Sequence, residues 1–219
     1  VVAVVARGDD GPGVFVVPGP ALEATARTAL DPTIAIADVV LDGVVVPDDH
    51  VLAAPGTPGV AERVTRAWQH ATVALATATV GTCRLIFEET LQYAKDREQY
   101  GRPIGSFQAL KHRLADMYLS VEKATSLCYY AALTIAEDDP RRAEATALAK
   151  AAAGDCQRLL VQDGLQLHGG IGMTWEHDLH FFLKRAKCGD SLLGGAITQR
   201  AELARILGLH AGASQGAAA

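Results

Sequence analysis

The chain lacks the features that would place it quickly in several functional classes. It has only four cysteines in 219 residues. Cys83, Cys128, Cys156 and Cys188 are widely spaced, with no CxxC pair and no Cys/His cluster. That excludes a zinc-ligand pattern and a disulfide framework, and it predicts four reduced, buried thiols in a cytoplasmic protein. No basic block suggests nucleic-acid binding, and no acidic run suggests a solvating tail; the formal net charge is -5. No membrane span is expected, since the uncharged stretch from Ala71 to Cys83 is too short and too rich in threonine. No targeting segment is visible either. Val1 to Val5 is apolar but is followed at once by Arg7, Gly8 and Asp9, without the basic start of a signal peptide. There is no initial methionine and the first residues read as mid-strand, so the chain reads as a fragment or a processed product. No internal repeat is found.

What is present is a globular composition, 49% hydrophobic and 21% charged, enough for one or two domains with a real core. The first 56 residues read as β. Val1–Val5 and Val14–Val17 are β-branched runs separated by Gly8-Asp9-Asp10-Gly11-Pro12-Gly13, a strand–turn–strand pattern. Ile34 to Val46 is a further β-branched stretch, and Pro47, Pro55 and Pro58 mark the exit. So few strands hardly bury two faces, so residues 1–56 read as a partial β domain.

From residue 57 to 209 the period changes to helical. Val80, Cys83, Phe87 and Leu91 share one face of a helix expected to run to about Arg97. Ser106 is placed to cap the next helix. Its stripe Leu110, Leu114, Met117, Val121, Ala124, Cys128, Ala131, Ile135 alternates spacings of four and three, which suits either a bundle core or a subunit interface. A third helix starts near Asp139-Pro140 with a face at Ala145, Leu148, Ala152, Cys156 and Leu159. Gly154 and Gly164 inside it predict close helix packing. Thr174 is placed to cap a short helix through Arg185, and a last helix runs from about Ile197 to Leu207. Residues 210–219 are small and read as a disordered tail. The expected architecture is mostly α: a helical bundle preceded by a partial β domain.

Three clusters could carry chemistry. The first, Arg97-Glu98-Gln99-Tyr100-Gly101-Arg102-Pro103-Ile104-Gly105-Ser106-Phe107-Gln108, sets arginines and glutamines around a helix–loop–helix corner. A fixed guanidinium beside glycine-rich backbone suits a pyrophosphate, although an arginine at a helix C-terminus also offsets the helix dipole with no ligand at all. The second is Gln166-Leu167-His168-Gly169-Gly170-Ile171-Gly172. It follows a helix rather than a strand, so it is not a dinucleotide fingerprint, and a helix C-cap with a tight turn explains it. The third, Thr174-Trp175-Glu176-His177-Asp178-Leu179-His180, holds acidic and imidazole groups at a helix start, where carboxylates are favoured electrostatically; no metal site is expected. Lone histidines such as His112 and His210 carry no site.

Taken together and in this order, the clusters resemble the acyl-CoA dehydrogenase family. The resemblance runs through Tyr93-Ala94-Lys95-Asp96-Arg97, Gly105-Ser106-Phe107-Gln108-Ala109, Lys111-His112-Arg113-Leu114-Ala115-Asp116-Met117 and the stretch from Gln166 to Arg185. Residues 1–56 resemble the second half of that family's middle β domain. The resemblance implies an FAD-dependent α,β-dehydrogenation of an acyl-CoA thioester, of the kind used in β-oxidation of fatty acids or steroid side chains. Electrons would pass to an electron-transferring flavoprotein or a similar acceptor. It implies FAD at a subunit interface of a homodimer, homotetramer or hetero-oligomer. Arg97, Gln99 and Gln108 would contact FAD, with Gln166, Gly169 and Gly170 meeting its ADP half.

The family's chemistry needs a glutamate in a dry pocket to take the α-proton. It lies in the loop before the last helix, followed by glycine. Matching Ala186-Lys187 and Gln199-Arg200 puts Leu193 at that position with Gly194 after it. The family's alternative position, on the first long helix, falls near Ala71 beside His70. Neither is a glutamate. Asp190 and His70 remain as substitutes, with capping or surface roles as their plainer reading. The chain also lacks counterparts of the family's N-terminal helical domain and the first half of its β domain, so it is expected to bind flavin poorly alone. Three readings follow. The chain is an enzyme with a displaced base, a non-catalytic partner completing another chain's FAD site, or a structural helical-bundle module. Heteromeric acyl-CoA dehydrogenases of actinobacterial steroid breakdown, which this sequence resembles, pair a catalytic chain with a degenerate one. Leu193 favours the second reading over the first, and the retained Arg97, Gln99, Gln108 and Gln166 argue against the third.

Overall fold

The structure, a computed structural model, describes residues 1–209; the tail expected over 210–219 lies outside them. The chain forms two compact units, Val1–His70 and Ala71 onward. The division falls within the first long helix rather than before it, because that helix begins only at Val60 and its first turns belong with the β unit.

In the first unit, β1 (Val2–Gly8) and β2 (Gly11–Val17) form an antiparallel hairpin running from Val2 opposite Val17 to Gly8 opposite Gly11. Gly11 has φ 118, a conformation that side chains avoid, and that lets the chain reverse there. β2 pairs next with β5 (Val51–Ala53), giving the order β1-β2-β5, with an irregularity between Val14 and Phe15. β3 (Glu23–Arg27) and β4 (Ile36–Val40) make a separate two-stranded sheet. β3 carries no β-branched run and is not legible in the sequence; it exists because its backbone pairs with β4. Every residue of β3 and β4 is exposed. The unit's buried apolar residues are chiefly Val17 and Val60, so the expectation of a β region too small to bury two faces holds.

The second unit is a helical bundle. α1 (Val60–Asp96) is followed by a small hairpin of β6 (Glu98–Gln99) and β7 (Arg102–Pro103). Then come α2 (Gln108–Ala136), α3 (Arg142–His168), α4 (Leu179–Ser191) and α5 (Ala196–Ile206). By length and composition α1 could cross a bilayer, but Val73, Ala76, Val80, Cys83 and Ile86 are its contribution to the core. The regular stripe of α2 is settled as core: Leu114, Met117, Val121, Ala124, Cys128 and Ala131 are all buried. They meet Ala149, Ala153, Cys156 and Leu160 of α3. Full burial of one such leucine or isoleucine contributes about 1.5–3 kcal/mol.

α3 is the central helix, buried around most of its circumference, with Ala147 and Ala151 buried as well as Ala145 and Ala149. Its small residues admit neighbours on several sides, which is why its apolar face reads ambiguously. The residues expected there, Leu148, Ala152 and Leu159, are only half-buried, and Ala149, Ala153 and Leu160 take the deeper places. Gly154 and Gly164 pack closely, as expected. A Cβ on Gly164 would lie 2.8 Å from Ile86 Cγ2, and one on Gly154 2.8 Å from Ala196 Cβ. All four cysteines are free.

Two expected caps are not made. Phe107 takes the N-cap position of α2, while Ser106 sits one residue early in a short 3-10 turn, its hydroxyl buried and without a hydrogen-bond partner. Thr174 instead donates to the Ile171 carbonyl at 2.9 Å, closing the turn that follows α3. The helix after it starts at Leu179, whose N–H is accepted by His177 Nδ1 at 3.1 Å.

Candidate functional site

The first site element is the corner between α1 and α2. Tyr100 and Gly101, with φ 55 and 75, form the left-handed turn of the β6–β7 hairpin. The Ile104 N–H donates to the Arg97 carbonyl at 2.8 Å and closes the corner. Gly105 is required there, since a Cβ would lie 2.9 Å from the Ala94 carbonyl oxygen. The Arg102 guanidinium lies 4.2 Å over the Phe107 ring, worth about 0.5–1 kcal/mol at an exposed site. The corner is therefore stiff, and it presents Arg97, Gln99 and Gln108 at the surface. Among the described residues none of these three has a side-chain partner. Gln108 also begins α2, where unpaired backbone N–H groups and the positive end of the helix dipole favour an anion.

The second element is the end of α3. Tyr93, in the last turns of α1, stacks on His168 with ring centroids 4.5 Å apart, so this end adjoins the corner. His168 is buried. Burial pushes its imidazole below the usual range; the bond from Nδ1–H to the Gly164 carbonyl, 2.8 Å long, opposes this. Its Nε2 is buried without a partner. Gln166, Gly169 and Gly170 follow at the surface, Gly169 with φ 63, and both glycines have open space where a side chain would be.

The neighbouring Glu176 carboxylate is held low by backbone N–H and by the Thr174 hydroxyl. His180 lies against Trp175 and Phe181. These groups are engaged by their own helix start rather than turned toward one centre.

The third element is the loop between α4 and α5. Leu193 is half-buried with φ 57, and Gly194 follows with φ 85. Asp190 does not project freely. Its Oδ1 accepts the Ala196 N–H at 3.1 Å and its Oδ2 accepts from Gln157 Nε2 at 3.3 Å. Gln199 Nε2 donates to the Leu193 carbonyl at 3.1 Å. Lys150, with no exposed surface, donates from Nζ to the carbonyls of Gly189 at 2.5 Å and Asp190 at 3.1 Å. Burial pushes its ammonium down, and the nearby Asp190 carboxylate opposes this. His70 stands exposed on α1, in the other unit. Sequence reasoning missed Lys150, Gln157 and Gln199. The available signal was a lysine set among alanines, Ala147 to Ala153, on a helix with no polar face to spare.

The fold and these residues define a helical domain with unpaired anion donors at one end and a tightly held polar loop. Residues 61–208 match the family model described as "Acyl-CoA dehydrogenase, C-terminal domain". The chain belongs to the acyl-CoA dehydrogenase family. It is 41% identical over 136 residues to acyl-CoA dehydrogenase IpdE2 of Mycobacterium tuberculosis, a match covering 62% of this chain and 39% of that protein. The chain thus spans well under half of that relative's length. Among solved structures it is similar to the ChsE4-ChsE5 complex from Mycobacterium tuberculosis. The TM-score is 0.86 at 29% identity, over 95% of this chain and 55% of the other. It is also similar to a variant of the Tcur3481-Tcur3483 steroid acyl-CoA dehydrogenase, with TM-score 0.80 at 30% identity over 94% and 55%.

Members of this family generally bind FAD. The residues present fit a share of that group. Among the described residues, a guanidinium and three amides are without side-chain partners at one end of the bundle, beside glycines whose backbone is open to close approach.

Proposed function

We propose that this chain lends FAD contacts to an acyl-CoA dehydrogenase whose proton-abstracting glutamate is supplied by a companion chain. The observation that carries this is the contrast between the surface corner and the loop between α4 and α5. Arg97, Gln99, Gln108 and Gln166 are exposed and unpaired, ready for a ligand. In the loop between α4 and α5, by contrast, position 193 is a leucine, and the neighbouring carboxylate, Asp190, is tied to Ala196 and Gln157. A leucine takes no proton. A carboxylate accepting two hydrogen bonds inside the fold is a staple rather than a free base. The similar ChsE4-ChsE5 structure is a complex, which supports a heteromeric setting. The similar Tcur3481-Tcur3483 protein is a steroid acyl-CoA dehydrogenase, which supports a bulky acyl-CoA substrate.

In this reading FAD, when bound, would supply the hydride-accepting chemistry toward the β-carbon of the thioester. The residues of this chain bind and orient. Arg97 neutralises pyrophosphate charge, and Gln99 and Gln108 fix polar edges. Gln166 with the Gly169-Gly170 backbone would hold the ADP half.

The test is flavin content and acyl-CoA-dependent dye reduction of this chain alone and with a companion dehydrogenase chain encoded beside it. Flavin and turnover appearing only in the pair support the proposal; flavin and turnover in this chain alone overturn it. Arg97→Ala in the pair is expected to weaken flavin retention by about ten-fold or more, the scale of one charge-assisted hydrogen bond.

A further inference from the structure

The loop between α4 and α5 is held by more buried polar chemistry than a surface turn requires. Lys150 is the largest fully buried side chain among the described residues. Its two acceptors, the carbonyls of Gly189 and Asp190, lie in the last turn of α4, where carbonyls have no partner within the helix and carry the negative end of its dipole. Asp190 passes the restraint onward by accepting the Ala196 N–H at the start of α5. Gln157 of α3 holds the other carboxylate oxygen and Gln199 of α5 holds the Leu193 carbonyl. Two glycines make room. A Cβ on Gly154 would strike Asp190 Oδ1, and one on Gly189 would strike the Thr79 hydroxyl. Between these anchors Leu193 sits in the left-handed region, which leucine disfavours. A backbone held there against its side chain's preference is fixed by its surroundings.

We propose that Lys150 is the positioning residue for the side chain at 193. Its ammonium closes the end of α4 and, through Asp190, holds the left-handed backbone, so the buried frame sets the loop and the identity of residue 193 does not. This rests on the reading above that the loop is where this family presents its base. It implies that the socket is retained here although the carboxylate is not.

Hydrogen exchange read by mass spectrometry tests it on the full chain, with no flavin or turnover involved, so failure of the functional proposal leaves the result interpretable. Lys150→Met keeps the linear stem and removes the donors. Exchange in the peptide spanning 189–199, which holds the bonded N–H groups of Leu192, Ala196 and Gln199, is expected to quicken by about ten-fold or more. Peptides of α2 stay as in the wild type. Leu193→Glu is expected to leave the loop within about two-fold of the wild type. If Lys150→Met does not fold, Asp190→Ala serves in its place with the same local pattern expected. Unchanged loop exchange, an equal rise in α2, or a ten-fold rise in Leu193→Glu overturns the proposal.

Discussion

At the scale of single residues, chemistry is decided by what each group already holds. Asp190 and Arg97 are both charged and both lie in stretches that match the family, yet one is consumed by the fold and the other is not. His168 shows the same logic for an imidazole. It is buried, stacked on Tyr93 and bonded to Gly164, and its proton affinity is lowered chiefly by burial. The sign follows: the unfolded chain binds a proton more readily than the folded one. His168 therefore contributes stability that is fully present above the unfolded imidazole value of about 6.5 and is lost as pH falls toward the lower folded value. Thermal unfolding between pH 7 and pH 5 should show a falling midpoint in the wild type and a flatter dependence in His168→Gln. Equal slopes would mean that other groups carry the acid sensitivity.

At the scale of elements, packing decides what propensity leaves open. α2 has one buried stripe and could be read from its spacing. α3 is buried on several sides and could not, because periodicity reports a helix's face only when it has one face. Gly164 illustrates the consequence. In a lone helix Gly→Ala would stabilise by roughly 1 kcal/mol. Here the added methyl would lie 2.8 Å from Ile86 Cγ2, in a contact between α3 and α1. Gly164→Ala is therefore expected to destabilise by about 1–3 kcal/mol, as overpacked cores do. A lower denaturant midpoint would bear this out, and a higher one would mean that α1 yields at Ile86. The caps teach a related lesson. Ser106 and Thr174 are residues of the right type in the right neighbourhood, but each helix starts beyond them; the Thr174 hydroxyl bonds the Ile171 carbonyl instead, and the Ser106 hydroxyl is buried without a partner.

At the scale of the whole molecule, the two compact units differ in how much they bury. The helical unit holds the whole core cluster, from Val73 to Ala186. The β unit keeps β3 and β4 exposed throughout. Segments with few buried apolar contacts open first. Brief proteolysis is expected to cut within residues 23–40 well before the bundle and to leave a resistant fragment carrying α1 to α5. Early cleavage inside α2 or α3 would contradict this ordering.

The sequence by itself determined the turn to helical period after Pro58, the buried stripe of α2, the close packing at Gly154 and Gly164, and the ordered motifs that mark the family. These are local or periodic signals, carried by residue types at fixed spacing. It also put Leu193 at the position where the resemblance expects a glutamate, an expectation that needed only a count between matched flanks and that the proposed function rests on. It did not reveal β3, whose strand depends on its partner, or the frame of Lys150, Asp190, Gln157 and Gln199 around the α4–α5 loop. Those four residues lie on three helices far apart in the chain. Only tertiary structure brings a lysine from the middle of α3 to the end of α4, where burial and unpaired carbonyls give its charge a purpose that no spacing in the sequence encodes.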